Sequence, residues 1–200
     1  SSSLEKLSTG LKINKASDDA SGLAIADKLR TQVTSINQGV SNGNSAIALL
    51  QIADKSMAEQ SKILDTVKAK LIQANTATTS ADGRESIRKD ITKLLEQLDN
   101  IAQQTNYNGN YLLQLDATSG AGATASLEFQ VGEKTSDMIT MSAVQANTTG
   151  LALTTLAGLA TSGLTTTVAQ TGQGSVDAAI TTLNGYRGDI GSTQNQVESA

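Results

Sequence analysis

The fold class the sequence predicts is a mainly α rod: a bundle of three long helices with a small β-hairpin region. Three observations predict it. Apolar residues recur at intervals of three, four and seven over long stretches, the seam of a coiled coil rather than the wide stripe of a globular helix. Pro is absent from all 200 residues, which suits uninterrupted helices because one interior Pro costs roughly 3 kcal/mol. Aromatic residues make up only 2% of the chain. A compact globule of this length normally buries several large rings, so the core is expected to be aliphatic and thin.

The elements follow in order. Residues 1–19 read as a connecting segment, with Ser17, Asp18 and Asp19 placed to cap the first helix and to suit its dipole. Rod helices are expected over 20–105, about 20–76 and 82–105. The first carries Leu29, Val33, Ile36, Val40, Ile47 and Leu50, then Met57, Leu64 and Leu71. It would span roughly 85 Å at 1.5 Å per residue. Gly22, Gly39 and Gly43 fall inside it, each costing about 1 kcal/mol against Ala. Close approach by another helix would compensate. The second helix starts near Asp82, with Glu85 as capping-box partner, and carries Ile87, Ile91, Leu94, Leu98 and Ile101. The short link between the two makes them neighbours.

Residues 106–174 change character. Asn106-Tyr107-Asn108-Gly109 is a turn. Leu127 to Val131 alternates apolar and polar residues, and Met138 to Met141 is rich in strand formers. Gly132 to Asp137 can turn between them, so a β-hairpin is expected. Leu151 to Gly174 reads as a Thr/Gly-rich loop or short strands. A third helix, 175–200, begins at Ser175 and carries Val176, Ile180, Leu183, Ile190 and Val197; it is still periodic at Ala200.

Composition excludes much chemistry. Cys and His are both absent, removing thiolate nucleophiles, disulfides, the commonest metal ligand and the usual proton carrier. The net charge of −4 offers no basic field for nucleic acid. No apolar run is long enough to span a membrane. The opening residues lack the basic start and apolar stretch of a signal peptide. Gly172-Gln173-Gly174 resembles the start of a dinucleotide fingerprint but lacks its third Gly and a βαβ setting. Asp18-Asp19 is better explained by capping than by a metal. Nothing brings a Ser–Lys catalytic pair into a pocket. Asn147-Thr148-Thr149 is a glycosylation sequon by sequence alone. No catalytic residue, metal or cofactor is expected.

Leu7-Ser-Thr-Gly-Leu-Lys-Ile-Asn14 and Ser17-Asp-Asp-Ala-Ser-Gly-Leu-Ala-Ile-Ala26 resemble the N-terminal signature of bacterial flagellins. Thr105-Asn-Tyr-Asn-Gly109 resembles the turn that closes the family's second helix. Phe129-Gln-Val-Gly132 is similar to its first hairpin, and Val176 to Leu183 with Arg187 to its C-terminal helix. The matches run in the family's order. The hook-filament junction protein shares these helical ends but typically carries Pro beside its Ser-Asp-Asp; Ala16 and Ala20 stand here, favouring the filament protein. A flagellin with an inserted metalloprotease would need His. An unrelated cytoplasmic coiled-coil scaffold is the remaining alternative.

The resemblance implies a structural subunit of the flagellar filament, secreted through the flagellar export channel without a cleaved signal peptide. It implies self-association through terminal segments that the family carries beyond a trimmed core like this one, leaving the core itself monomeric. Export chaperone, cap and hook-associated proteins are the further partners implied, and Gly39 and Gly43 would then pack subunit against subunit. In many flagellins, Toll-like receptor 5 binds the long helix where an Arg stands four residues before a Leu. Those positions are Thr66 and Lys70 here, and a receptor-facing acid is retained as Asp90. Losing the Arg and gaining a charge implies weak or evaded recognition.

Overall fold

A computed structural model of the chain describes residues 9–200. Residues 1–8 of the expected connecting segment, and the side chain of Ser17, lie outside the described residues. Helix α1 spans Thr9–Ala74, about 100 Å at 1.5 Å per residue. Helix α2 spans Ala81–Gln104. Two short strands follow, β1 (Asn106–Tyr107) and β2 (Asn110–Tyr111), then β3 (Leu127–Gln130) and β4 (Met138–Met141). Helix α3 is a single turn at Thr154–Ala157, and helix α4 runs over Thr166–Ser199.

Both α2 and α4 lie antiparallel to α1. The α1–α2 order shows in the pairs Lys70–Asp90, Gln60–Leu98 and Ser56–Thr105. The α1–α4 order shows in Lys68–Asp177, Arg187–Asp54 and the contact of Gly43 with Val197. The expected seam forms the core: Leu50, Met57, Leu64 and Leu71 of α1 are fully buried. They meet Ile91, Leu95 and Leu98 of α2 and Val176, Leu183 and Ile190 of α4. On α2 the inward face runs through Leu95 and Ala102, while Leu94 and Ile101 are only partly buried. Phe129, Tyr107 and Tyr186 sit at the core's margin, partly buried. The core is aliphatic and thin.

The expected hairpin is present. Strand β3 pairs antiparallel with β4 in the register Leu127↔Met141 and Phe129↔Ile139. Its turn is closed by Asp137, whose carboxylate accepts the Lys134 N–H at 3.0 Å. The Asn-Gly turn joins β1 and β2, with Asn108 at φ 52° and Gly109 at φ 83°. Two positive φ values in a two-residue loop match strand twist, and Asn and Gly reach that region most readily.

The structure corrects three boundaries. Ser17, Asp18 and Asp19 lie inside α1, about two turns beyond Thr9, and so cap no helix start. Nothing in Leu11 to Ala16 breaks a helix, so propensity carries it upstream of the first seam residue. At α2 the cap is Ser80, whose hydroxyl oxygen accepts the Gly83 N–H at 3.0 Å; Glu85 is engaged elsewhere. Helix α4 starts at Thr166, capped by Thr165, and Ser175 lies within it. Of the glycines that read as loop, Gly172 is accommodated by packing, since a Cβ there would stand 3.3 Å from the Leu71 side chain, while Gly174 meets nothing within 4 Å.

Candidate assembly surface

The seam on α1 divides into two halves with different fates. From Ala46 to Ala74 it is covered by α2 and α4. From Leu23 to Val40 it is bare: Leu29 and Val33 are each 56% exposed, Ile36 57% and Val40 58%. Ile25 and Leu23 extend the exposure further. The division falls beside Val197, which lies against Gly43 three residues before Ala200, the last of the sequence, so the exposure is that of the described residues alone. Ile25, Leu29, Val33, Ile36 and Val40 recur at fours and threes on one helical face. A contiguous apolar stripe of this kind is suited to being covered by a further helix, whether of the same protein or of a neighbour.

Gly39 and Gly43 pack elements of this chain together, and both are buried within it. A Cβ on Gly39 would stand 2.7 Å from the Val131 carbonyl oxygen, and one on Gly43 would stand 3.5 Å from Val197 Cγ1. The neighbouring Asn42 donates from Nδ2 to the Gln130 carbonyl at 2.7 Å. Together they seat the β3–β4 hairpin on α1.

Thr66, Lys70 and Asp90 lie close together on the adjoining helices α1 and α2. Thr66 is exposed and its hydroxyl returns a hydrogen bond to the Lys62 carbonyl at 3.1 Å. One turn on, Lys70 Nζ donates to Asp90 Oδ2 at 3.0 Å. The Lys70 ammonium is thus held by Asp90 across the two helices. The Lys70 and Asp90 side chains are 33% and 50% exposed, so the pair is a surface ion pair of small net value.

Sequence reasoning missed a clamp at the far end of α2. Arg88 bonds Glu85 through Nε and Nη2, and its Nη1 donates to the Leu159 carbonyl at 3.1 Å. The Ser162 N–H donates to Glu85 Oε1 at 3.2 Å. The Arg88 hydrogen bond holds the Glu85 carboxyl below its ordinary range, against a partial opposing effect of burial. The same bond raises Arg88. The i,i+3 spacing of Glu85 and Arg88 was visible in sequence; their loop partner was not.

The other motifs meet no chemistry. Gly172-Gln173-Gly174 is helical and packed on Leu71, so it forms no phosphate loop. Asn147 is 1% exposed, and its amide donates to Gln114 Oε1 at 2.8 Å, so the folded chain presents no accessible sequon. Among the described residues no three His, Cys, Asp or Glu side chains gather, and no helix is long and apolar enough to cross a membrane.

Known proteins show the same architecture. The family described as "Bacterial flagellin N-terminal helical region" matches residues 1–118. Flagellin B of Helicobacter pylori is 50% identical over 132 residues, 66% of this chain and 24% of that protein. Flagellin FlaB1 of Treponema pallidum is 31% identical over 201 residues, covering 98% of this chain and 70% of that one. The crystal structure of Bacillus cereus flagellin superposes with a TM-score of 0.67 at 28% identity, over 80% of this chain and 85% of the other. The chain spans about a quarter of the length of its Helicobacter relatives. A family match over residues 1–118, more than half of the chain, joined to a relative matched nearly end to end, identifies the lineage of this rod: the chain belongs to the bacterial flagellin family.

Proposed function

We propose that the chain is the rod portion of a flagellar filament subunit, a structural protein that works by packing against copies of itself. The carrying observation is the long helical seam of a flagellin-family rod, packed at Leu50, Met57, Leu64 and Leu71 and continued in the same phase through Ile25 to Val40. Burying each such aliphatic side chain contributes about 1.5–3 kcal/mol, so a face of this length supports association. Export without a cleaved signal peptide, to a flagellum outside the cell, belongs to the same reading, as do chaperone, cap and hook-associated partners. The absence of Cys suits passage of an unfolded chain. The test replaces Leu29 and Ile36 together with Glu in the full-length protein. Sedimentation should show filaments lost while circular dichroism and the melting temperature of the monomer hold. Normal filaments from the double variant would refute the proposal.

We further propose weak recognition by Toll-like receptor 5. Thr66 offers no planar cation, and Lys70 is committed to Asp90. Loss of a central interface anchor costs about 2 kcal/mol or more, roughly thirtyfold in affinity. In a reporter-cell assay the unmodified full-length protein should fall well below a stimulatory flagellin. Thr66→Arg with Lys70→Leu should raise the response. Full potency without the substitutions would overturn this assignment.

A further inference from the structure

We propose that Asn108 is a site of spontaneous deamidation, selected by the fold from three chemically equivalent Asn-Gly pairs. The pairs are Asn42-Gly43, Asn108-Gly109 and Asn184-Gly185. The reaction needs the backbone nitrogen of the following residue to reach the Asn side-chain carbonyl carbon. Gly lowers the steric barrier equally at all three, so the backbone around each pair decides.

Two pairs are locked. Asn42-Gly43 and Asn184-Gly185 lie deep within α1 and α4. There each Gly N–H belongs to the helical hydrogen-bond ladder, and attack requires breaking a long helix in its interior. Gly43 is also buried against Val197. The third pair is the loop of a hairpin whose strands are two residues each, registered Asn106↔Tyr111 and Tyr107↔Asn110. Asn108, Gly109 and Asn110 are all exposed. The Gly109 N–H is held only by the Asn106 side-chain oxygen, at 3.3 Å. At φ 52° Asn108 sits in the left-handed region, so the turn must open for the attack. So short a ladder opens far more readily than a helix interior.

The step balances without an oxidant or enzyme. The Gly109 nitrogen loses its proton and bonds to Asn108 Cγ, and the side-chain nitrogen leaves as ammonia, closing a five-membered succinimide. Water then adds to either ring carbonyl, giving Asp or isoaspartate. Either product adds one negative charge four residues beyond the C-terminal end of α2, the end where the helix dipole disfavours it. Isoaspartate also lengthens the backbone by one methylene within a turn built for two residues.

The experiment incubates the folded chain at mildly alkaline pH beside a urea-unfolded sample. Both are mapped by mass spectrometry with isoaspartate resolved. In the folded chain, conversion at Asn108 should exceed that at Asn42 or Asn184 by at least about tenfold, as expected when local opening controls access. In the unfolded chain the three rates should converge to within a few-fold. Comparable rates among the three in the folded chain would overturn the proposal, and so would the same wide preference persisting in urea.

Discussion

At Glu85 a single carboxylate organises a loop: it accepts from Arg88 and from the Ser162 N–H, while Arg88 reaches the Leu159 carbonyl. Ser162 itself stands at φ 64°, unfavourable for a residue with a Cβ, so the clamp helps to hold a strained backbone. Because the folded carboxyl titrates below its ordinary value of 4.5, the unfolded chain binds more protons in the interval between the two. Stability therefore rises with pH across that interval. The contribution is fully present above the ordinary value and fades as pH falls through the folded one. Glu85→Gln should lower the melting temperature at neutral pH. The gap from the parent should then close progressively below the ordinary carboxylate value. A gap independent of pH in melts across that range would show that the charge is not what the loop uses.

At the scale of an element, the glycines inside the helices separate into two kinds. Gly39→Ala would set a methyl 2.7 Å from the Val131 carbonyl oxygen, and backbone cannot yield as a side-chain tip can. Displacing the hairpin should cost about 1–3 kcal/mol. A Cβ added at Gly185 or Gly188 of α4 would meet nothing within 4 Å, so Ala there should stabilise by about 1 kcal/mol each. Urea unfolding of the three single variants checks both signs. Such a division was not legible in the sequence, because the room at Gly39 is set by a hairpin distant along the chain. What was legible is what repeats: the Leu50, Met57, Leu64 and Leu71 seam, the Ile87 and Ile91 phase, and the alternation at Leu127 to Val131. Helix starts were read poorly for an opposite reason. The acid pair Asp18-Asp19 looked like a cap because the seam begins nearby, whereas α1 needs no seam to continue upstream. Thr165 went unnoticed as a cap because Gly172 and Gly174 read as loop. The candidate surface was visible only as a stripe; which half of it this chain covers depends on where α4 lies.

For the whole molecule, one helix serves as the spine and its two halves have different support. Beyond Ala46, α1 is packed on α2 and α4; before Gly39, its apolar face meets nothing among the described residues. Most helical stability comes from packing an apolar face, since isolated helices are marginal in water. Opening free energy should accordingly rise along α1 from near zero toward the global value. Amide hydrogen exchange of the isolated chain should show residues 20–35 exchanging quickly, residues 46–74 slowly, and a boundary near Gly39 where the hairpin is seated. Mutations should follow the same gradient. Leu64→Ala removes a fully buried side chain and should cost about 2–5 kcal/mol. Leu29→Ala removes an exposed one and should change monomer stability by no more than about 0.5 kcal/mol. The decisive comparison repeats both measurements on assembled filaments. There the slow-exchanging region should extend to residue 25, and Leu29→Ala should become costly while Leu64→Ala changes little from its monomer value. Equal protection of both halves in the isolated chain would mean that α1 is stabilised by something other than its packed seam.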